Sequence, residues 1–485
     1  MPGEFPATRA RFLREYADDV EQGRAALLVG AGLSRAAGFV DWRGLLRDLA
    51  SDLGLDIDEE YDLPGVAQYH LDANNQDRSR LNRMLREHFQ HAQPVSTRAH
   101  EALARLPVRD VWTTNYEDTL ERTYEAADRV VDVKRLSAQA SWTSDRPGSD
   151  ATVYKMHGDT DDVGSVVLSR EDYDTYEAKY PHVPRVLQAH LTQKTFLIVG
   201  FSLTDPNIDH VLAQQRAAFG ANQRQHWAVF KREAAGREAV RQGLRIRSLK
   251  RYGIETVLVD DYSDVPVLLE ELADRLARRN VLVSASSGDA TLLPGSERQR
   301  IETIAEMAGR AIITTGHNLV SGVGLGAGAA VLAGAAEQVY RGHADPARRL
   351  VLRPFPRPAA ATPAERAELW TRWREDMARN AGIAIFIAGC RDDGQGNPEV
   401  AAGVLEEFKI AVEQGWAWPL PIGATGWAAR ELHVRVWSDR QRYLPDHTPW
   451  EDLETLGLAD ATVEQLTGAL ERLLRSLHAS ASTTA

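Results

Sequence analysis

Cysteine is almost missing from this chain: Cys390 is the single thiol in 485 residues. One thiol cannot close a disulfide within the chain, nor can it build a zinc site of several cysteines. A reducing compartment such as the cytoplasm fits that usage. Long apolar runs are missing too, and the opening MPGEFPATRARFLREY has no apolar centre, so neither a membrane span nor a secretory leader is expected. Positive charge is in deficit, with 57 Lys and Arg against 69 Asp and Glu and a formal net charge of -12. That balance argues against a nucleic-acid partner, which would need a basic face. What remains is ordinary globular composition, 43% hydrophobic and 26% charged. A chain of this length exceeds one core, so two or three domains are expected.

The most telling local pattern is LLVGAGLSRAAGFVDWR at 27–43. An apolar run over Ala25–Val29 ends in Gly30, Ala31 and Gly32, and Ser34 stands where a helix can begin. Strand, glycine turn and helix start are the parts of a nucleotide phosphate site, because glycine lets backbone N–H groups approach a pyrophosphate at the positive end of the helix. Two glycines in a βα turn also occur for packing alone. Other strand-like segments end in similar fashion. The stretch 108–114 runs into Asn115, 153–156 into His157 and Gly158, and Thr195–Val199 into Gly200 and Ser202. In an open parallel sheet, ligands bind beyond the carboxyl ends of the strands. A lone buried histidine or asparagine is usually a hydrogen-bonded core residue; four such strand ends together point to a site.

The 27–43 string resembles the signature of the sirtuin family in Gly30, Ala31, Gly32, Ser34, Gly38, Asp41, Trp42 and Arg43. Val40 and Trp42 stand where sirtuins usually have proline and phenylalanine. Thr113 and Asn115 resemble the threonine-x-asparagine motif, His157 and Gly158 the histidine-glycine pair, and Gly200 and Ser202 a glycine-x-serine segment that lies along the cofactor. The resemblance covers roughly 7–274. It implies NAD bound by Gly30, Ala31, Gly32, Ser34, Asp41, Trp42, Arg43, Gly200 and Ser202, with Asn115 and His157 catalytic. Glu117 holds a place where the family usually has aspartate, with Asp118 beside it, and the choice between the two stays open. Protein-deacylating sirtuins carry a zinc module of four cysteines, which this chain cannot build. The activity implied is therefore opening of the glycosidic bond of NAD with water as acceptor, without a metal. A neutral His157 can accept a proton, and Asn115 can hydrogen-bond a ribose hydroxyl or water without adding charge.

The stretch 280–296 begins apolar and becomes small and polar, and the domain boundary is expected there, giving domains 1–280 and 281–485, although 281–283 also reads as a strand. Beyond it, 318–328 reads as a second strand, glycine turn and helix. A helix capped by Thr362 carries Arg374, a buried strand over 383–387 leads to Arg391, and 398–414 reads as the next helix. The alternation gives a second nucleotide-binding α/β fold. It resembles the SLOG superfamily, with Ser321, Gly322, Gly324, Leu325 and Gly326 in the phosphate turn and Gly403, Glu406 and Glu407 at the end of its second motif. Val404 replaces the threonine of that motif, which favours ligand binding over hydrolysis there. The expected fold class is thus α/β, two Rossmann-like doubly wound domains.

This pairing of domains is similar to the effector subunits of Thoeris anti-phage defence systems. The resemblance implies that a cyclic ADP-ribose isomer, made by a TIR-domain partner enzyme, binds Arg374, Arg391, Glu406 and the glycine turn and switches on NAD hydrolysis. It also implies a homo-oligomer, a tetramer or filament. Two other readings stay open: an ADP-ribosyltransferase, and a non-catalytic nucleotide-binding scaffold. The stretch 479–485 reads as a frayed tail.

Overall fold

A computed structural model of the chain describes residues 6–90, 95–203, 205–289, 291–356, 362–379 and 381–479. The tail expected at 479–485 lies, after its first residue, outside the described residues. The chain divides into two compact units, Met1–Ala273 and Asp274–Ala485.

The first unit is a seven-stranded sheet of β1 (Ala25–Val29), β2 (Asp110–Thr113), β3 (Val131–Arg135), β4 (Ala151–Lys155), β5 (Thr195–Val199), β6 (His226–Lys231) and β7 (Ile254–Val259). Their order is β3-β4-β2-β1-β5-β6-β7, with every neighbouring pair parallel. Strand β1 is buried along its whole length, as AALLV must be when helices cover both faces of a parallel sheet. On one face Ala26 and Leu28 pack with Phe196, Ile198 and Trp112 against Val183, Leu187, Ile208 and Val211 of the covering helices. The chain builds outward from β1 through β2, then crosses to β5 on the other side. The order therefore reverses between β1 and β5, the place where open parallel sheets of this kind bind their ligands. Strand β3 was not legible from hydrophobicity, since its VDVKR carries three charged residues. Asp132 and Lys134 pair at 2.7 Å and lie buried at that edge.

Between β1 and β2 the chain inserts a helical layer. Helices Trp42–Asp52, Leu63–Ala73 and Ser79–Leu85 bury Leu46, Leu49, Val66, Leu81 and Leu85 against Tyr116, Val163 and Leu168. The last three come from the loops that follow β2 and β4, so this layer has its core in the segments that carry the site.

The second unit has β8 (Asn280–Ser287), β9 (Asn318–Ser321), β10 (Leu350–Leu352), β11 (Ile383–Asp392), β12 (Pro398–Val400) and β13 (Trp418–Ile422). The order is β10-β9-β8-β11-β12, with β13 also on β11. Two expectations are corrected here. The supposed boundary stretch 280–296 contains β8, which pairs with both β9 and β11 at the centre of the sheet. Its small residues allow dense packing rather than chain freedom. Residues 398–400, expected as the start of a helix, instead pair antiparallel with the end of β11, and the helix begins at Ala402. Strand β11 runs past its expected end through a bulge at Ala388 and Gly389, both with positive φ, where its register on β8 shifts.

Candidate functional site

The glycines at the end of β1 serve close approach first. Gly30 N–H donates to the Val199 carbonyl at 3.0 Å and Gly32 N–H to the Gly200 carbonyl at 2.8 Å. A Cβ on Gly32 would stand 2.9 Å from the Gly200 Cα, and one on Gly30 2.6 Å from the Gly200 carbonyl oxygen. Gly200 itself has φ +68°. The ends of β1 and β5 thus meet backbone to backbone at the switch in strand order.

Asn115 sits beside this contact, 5% exposed. Its side-chain amide donates to the Gly30 carbonyl at 3.3 Å and to Ser34 Oγ at 2.7 Å, while its own N–H donates to Thr113 Oγ1. A carbonyl can only accept, so Gly30 fixes which end of the amide is nitrogen. Ser34 spends its single proton on the Glu117 carboxylate. Asn115 Oδ1 is then left buried with no partner within the protein. Such an atom is costly unless something donates to it.

Glu117 and its neighbour Asp118 lie in different surroundings. Asp118 pairs with exposed Arg122 at 2.8 Å, whereas Glu117 is buried behind Ser34. Burial raises its carboxyl above the usual range, against the pull of the Lys155 ammonium. Lys155 is wholly buried, donates to the carbonyls of Tyr116 and Glu117, and lies 3.0 Å from Asp159 and 3.3 Å from Glu121. Burial works against its charge, but Glu121, Asp159 and Glu117 outweigh it and hold the ammonium above its ordinary value.

His157, after β4, is 2% exposed. Its Nε2 lies 3.4 Å from Asp205 Oδ2 and 3.5 Å from the side-chain amide of Asn207, and the rings of Tyr173 and Tyr176 meet it edge-on. Burial lowers its pKa, with Asp205 pulling the other way, so the ring is neutral at physiological pH. Asn115 and His157 hold separate sets of partners.

The remaining first-unit candidates divide. Trp42 reaches the same cluster through an edge contact with Tyr173 at 6.4 Å. Asp41 caps its helix by accepting from Gly44 N–H at 2.9 Å and lies 3.7 Å from exposed Arg35. Arg43 donates to the Ile57 carbonyl. Ala31 opens the short helix Ala31–Ala36, and Ser202 is exposed in the loop after β5. Among the described residues no group of three or more His, Cys, Asp or Glu could hold a metal ion, and no helix is long and apolar enough to cross a membrane. Asp205, Tyr173 and Lys155 were missed from sequence. Only Asp205 carried a signal, as an Asp-Pro helix start directly after the glycine-x-serine segment.

In the second unit, Arg374 is not a solvated helix residue. It is 6% exposed, with Nη1 2.8 Å from Glu406 Oε2 and Nε 3.6 Å from Glu407. Thr371 donates to the other Glu406 oxygen at 2.8 Å. Gly403 leaves room for the guanidinium, since a Cβ there would stand 2.9 Å from Nη2. Arg391 pairs instead with Glu399 across the exposed β11–β12 hairpin, at 2.7 Å. The glycine turn is tightly built. Ser321 is buried and its Oγ accepts from Val323 N–H; a methyl on Gly322 would strike the Trp373 ring; one on Gly324 would strike the Ala285 carbonyl. Gly326 has φ +67° and leads into a helix whose Ala327 N–H donates to Ser287 Oγ. Leu325 is exposed at the tip.

Fold and site together define a class, a SIR2-like α/β domain followed by a SLOG domain. The model of the SIR2-like domain matches residues 109–257, and that of the Sir2- and TIR-associating SLOG family matches 264–477. Proteins named NAD(+) hydrolase ThsA resemble the chain nearly end to end. The one from Bacillus cereus is 34% identical over 95% of this chain and 93% of its own length, and the one from Acinetobacter baumannii 35% identical over 89% and 91%. A third, from Enterococcus faecium, is 32% identical over 95% and 98%. The chain belongs to the ThsA family of NAD(+) hydrolases.

Proposed function

We propose that the first unit hydrolyses NAD+ to nicotinamide and ADP-ribose, and that the second gates it by binding a cyclic ADP-ribose isomer. The observation that carries this reading is the unpartnered, buried Oδ1 of Asn115 at the β1/β5 switch point of a ThsA-family chain. Nicotinamide leaves as a neutral group from a cationic ring, so the site needs little acid assistance. The ribose passes through an oxocarbenium-like state and must be held while water attacks. Asn115 Oδ1 accepts from a ribose hydroxyl or that water; neutral His157 takes the proton. The glycosidic C–N bond breaks, a C–O bond to water forms, and the surplus proton ends on His157. Gly30, Ala31, Gly32, Ser34, Gly200 and Ser202 line the dinucleotide, with Asp41, Trp42 and Arg43 supporting it from the helical layer.

In the second unit Arg374 and Arg391 offer charged donors to a pyrophosphate, and Glu406 accepts from ribose hydroxyls. The glycine turn from Ser321 to Gly326 completes the pocket. A TIR-domain enzyme as source of the signal fits the family description, and NAD depletion during phage infection fits the likeness to Thoeris effectors. Assembly into a homo-oligomer belongs to the same reading. The test is product analysis after incubating the purified full chain with NAD+ and each cyclic ADP-ribose isomer. Free ADP-ribose in step with nicotinamide is expected. ADP-ribose attached to protein would make the chain a transferase, and no release under any condition would leave a nucleotide-binding scaffold.

A further inference from the structure

We infer that Asp205 is the positioning residue for His157: its carboxylate holds the Nε2 edge of the imidazole and leaves Nδ1 to take the proton. The inference rests on the reading of His157 as the base. Each oxygen of Asp205 has its own task. Oδ1 accepts from the N–H groups of Asn207 and Ile208 at 3.0 and 3.1 Å, capping the helix Pro206–Phe219. Oδ2 accepts from the Tyr173 hydroxyl at 3.1 Å and lies 3.4 Å from His157 Nε2. The cap freezes the carboxylate, so its second oxygen faces the histidine in one orientation. Asparagine or serine caps a helix about as well as aspartate. A cap alone therefore does not explain a carboxylate here, and the buried imidazole does. A carboxylate favours the tautomer with the proton on the nitrogen nearest to it; the Asn207 amide, whose Nδ2 lies 3.5 Å from Nε2, then turns its oxygen to that N–H. A base that is oriented in this way loses little freedom at the moment of transfer.

The groups facing the ring from each packed element are Asp205 and Asn207 on the helix start, and Tyr173 and Tyr176 from the segment after β4. Tyr176 donates to the Met156 carbonyl, and burial keeps both phenols un-ionised. Asp205 is thus the charged partner on which the ring's proton affinity depends.

The test uses the full chain under conditions where the native protein releases nicotinamide. Should the native protein release none, the proposed function fails before this inference is reached. Asp205→Asn and Asp205→Ser keep a cap and remove the carboxylate. Each should lower kcat by roughly 10²- to 10⁴-fold with KM nearly unchanged. A second readout separates positioning from mere structure. The acid limb of kcat/KM, set by protonation of His157, should move to lower pH in Asp205→Asn, because the attraction that favours the imidazolium is gone. Tyr173→Phe leaves the cap intact and frees Asp205 Oδ2, so its limb should move to higher pH. These opposite shifts support the inference, and the Tyr173→Phe shift decides the matter even if both Asp205 variants unfold. Unmoved limbs, or an Asp205→Asn enzyme with native kcat, overturn it.

Discussion

Glu117 accepts the hydroxyl proton of Ser34, and Ser34 in turn accepts from the Asn115 amide. The carboxylate thereby sets the direction of the Ser34–Asn115 hydrogen bond, as the Gly30 carbonyl does from the other side of the amide. Replacing Glu117 by alanine leaves Ser34 free to turn and Lys155 without one of its three carboxylates. Breaking a buried charged network in this way typically costs about 3–5 kcal/mol of stability. Glu117→Gln keeps an acceptor for Ser34 and should retain more of the fold. Denaturant unfolding of the two variants checks the order; equal stability to the native chain in Glu117→Ala would show that the network carries no weight.

The Arg374–Glu406 pair at 2.8 Å makes the second site a charged pair that a ligand must enter and share. Glu406→Ala should abolish binding of a cyclic ADP-ribose isomer and with it the activation, while Asn115 and His157 stay as they are. A ligand that switches a remote site must prefer the active arrangement, typically by about 1–3 kcal/mol. Calorimetry alongside NAD cleavage is the check. Unchanged affinity in Glu406→Ala would remove Glu406 from the ligand set.

Two buried histidines make stability depend on pH. Burial lowers His226 and His317 to about 3 each, and the environments agree: His226 Nδ1 accepts from Phe196 N–H, which a protonated ring could not do. A histidine whose folded pKa is depressed adds stability that is fully present above the unfolded value near 6.5 and is lost as pH falls towards the folded value. Each should cost about 1.4 kcal/mol per pH unit below about 6.5. Urea unfolding at a series of pH values measures the slope; a flat profile between about pH 6.5 and about pH 5 would contradict it.

Gly200→Ala tests the backbone contact at the switch point. Alanine there would need φ +68° and would place its Cβ 2.6 Å from a Leu33 methyl carbon. The strain and the clash should together cost about 1–3 kcal/mol and displace the β1 turn from β5. Loss of NAD binding with the fold retained, read by calorimetry and circular dichroism, is the expected outcome.

Much of this was legible in the chain because the information is local. A strand end carrying glycine, asparagine or histidine announces itself in a few residues, and the four ends Gly30, Asn115, His157 and Gly200 do follow β1, β2, β4 and β5 in one parallel sheet. The partners of those residues were not legible, because they come from far along the chain. Nothing near Asn115 reveals Ser34, 81 positions away, and nothing near His157 reveals Asp205. Strand β8 was legible only in its first half, for a different reason. Its second half, SASS, has the composition of a linker, and only its two neighbours in the sheet make it a strand. Arg374 and Glu406 were named together from the family resemblance, but Glu407 as a further partner and the Thr371 hydroxyl were not.

On the proposed function, this chain cleaves NAD+ at Asn115 and His157 when a nucleotide signal is bound. Nicotinamide release by the native chain, Asn115→Ala and His157→Ala, each with and without a cyclic ADP-ribose isomer, tests it most directly. Release should depend on the signal in the native chain and fall by roughly a hundredfold or more in both variants, with folding intact and no effect of chelators. Near-native release from either variant, or full release from the native chain without any signal, would overturn the proposed function.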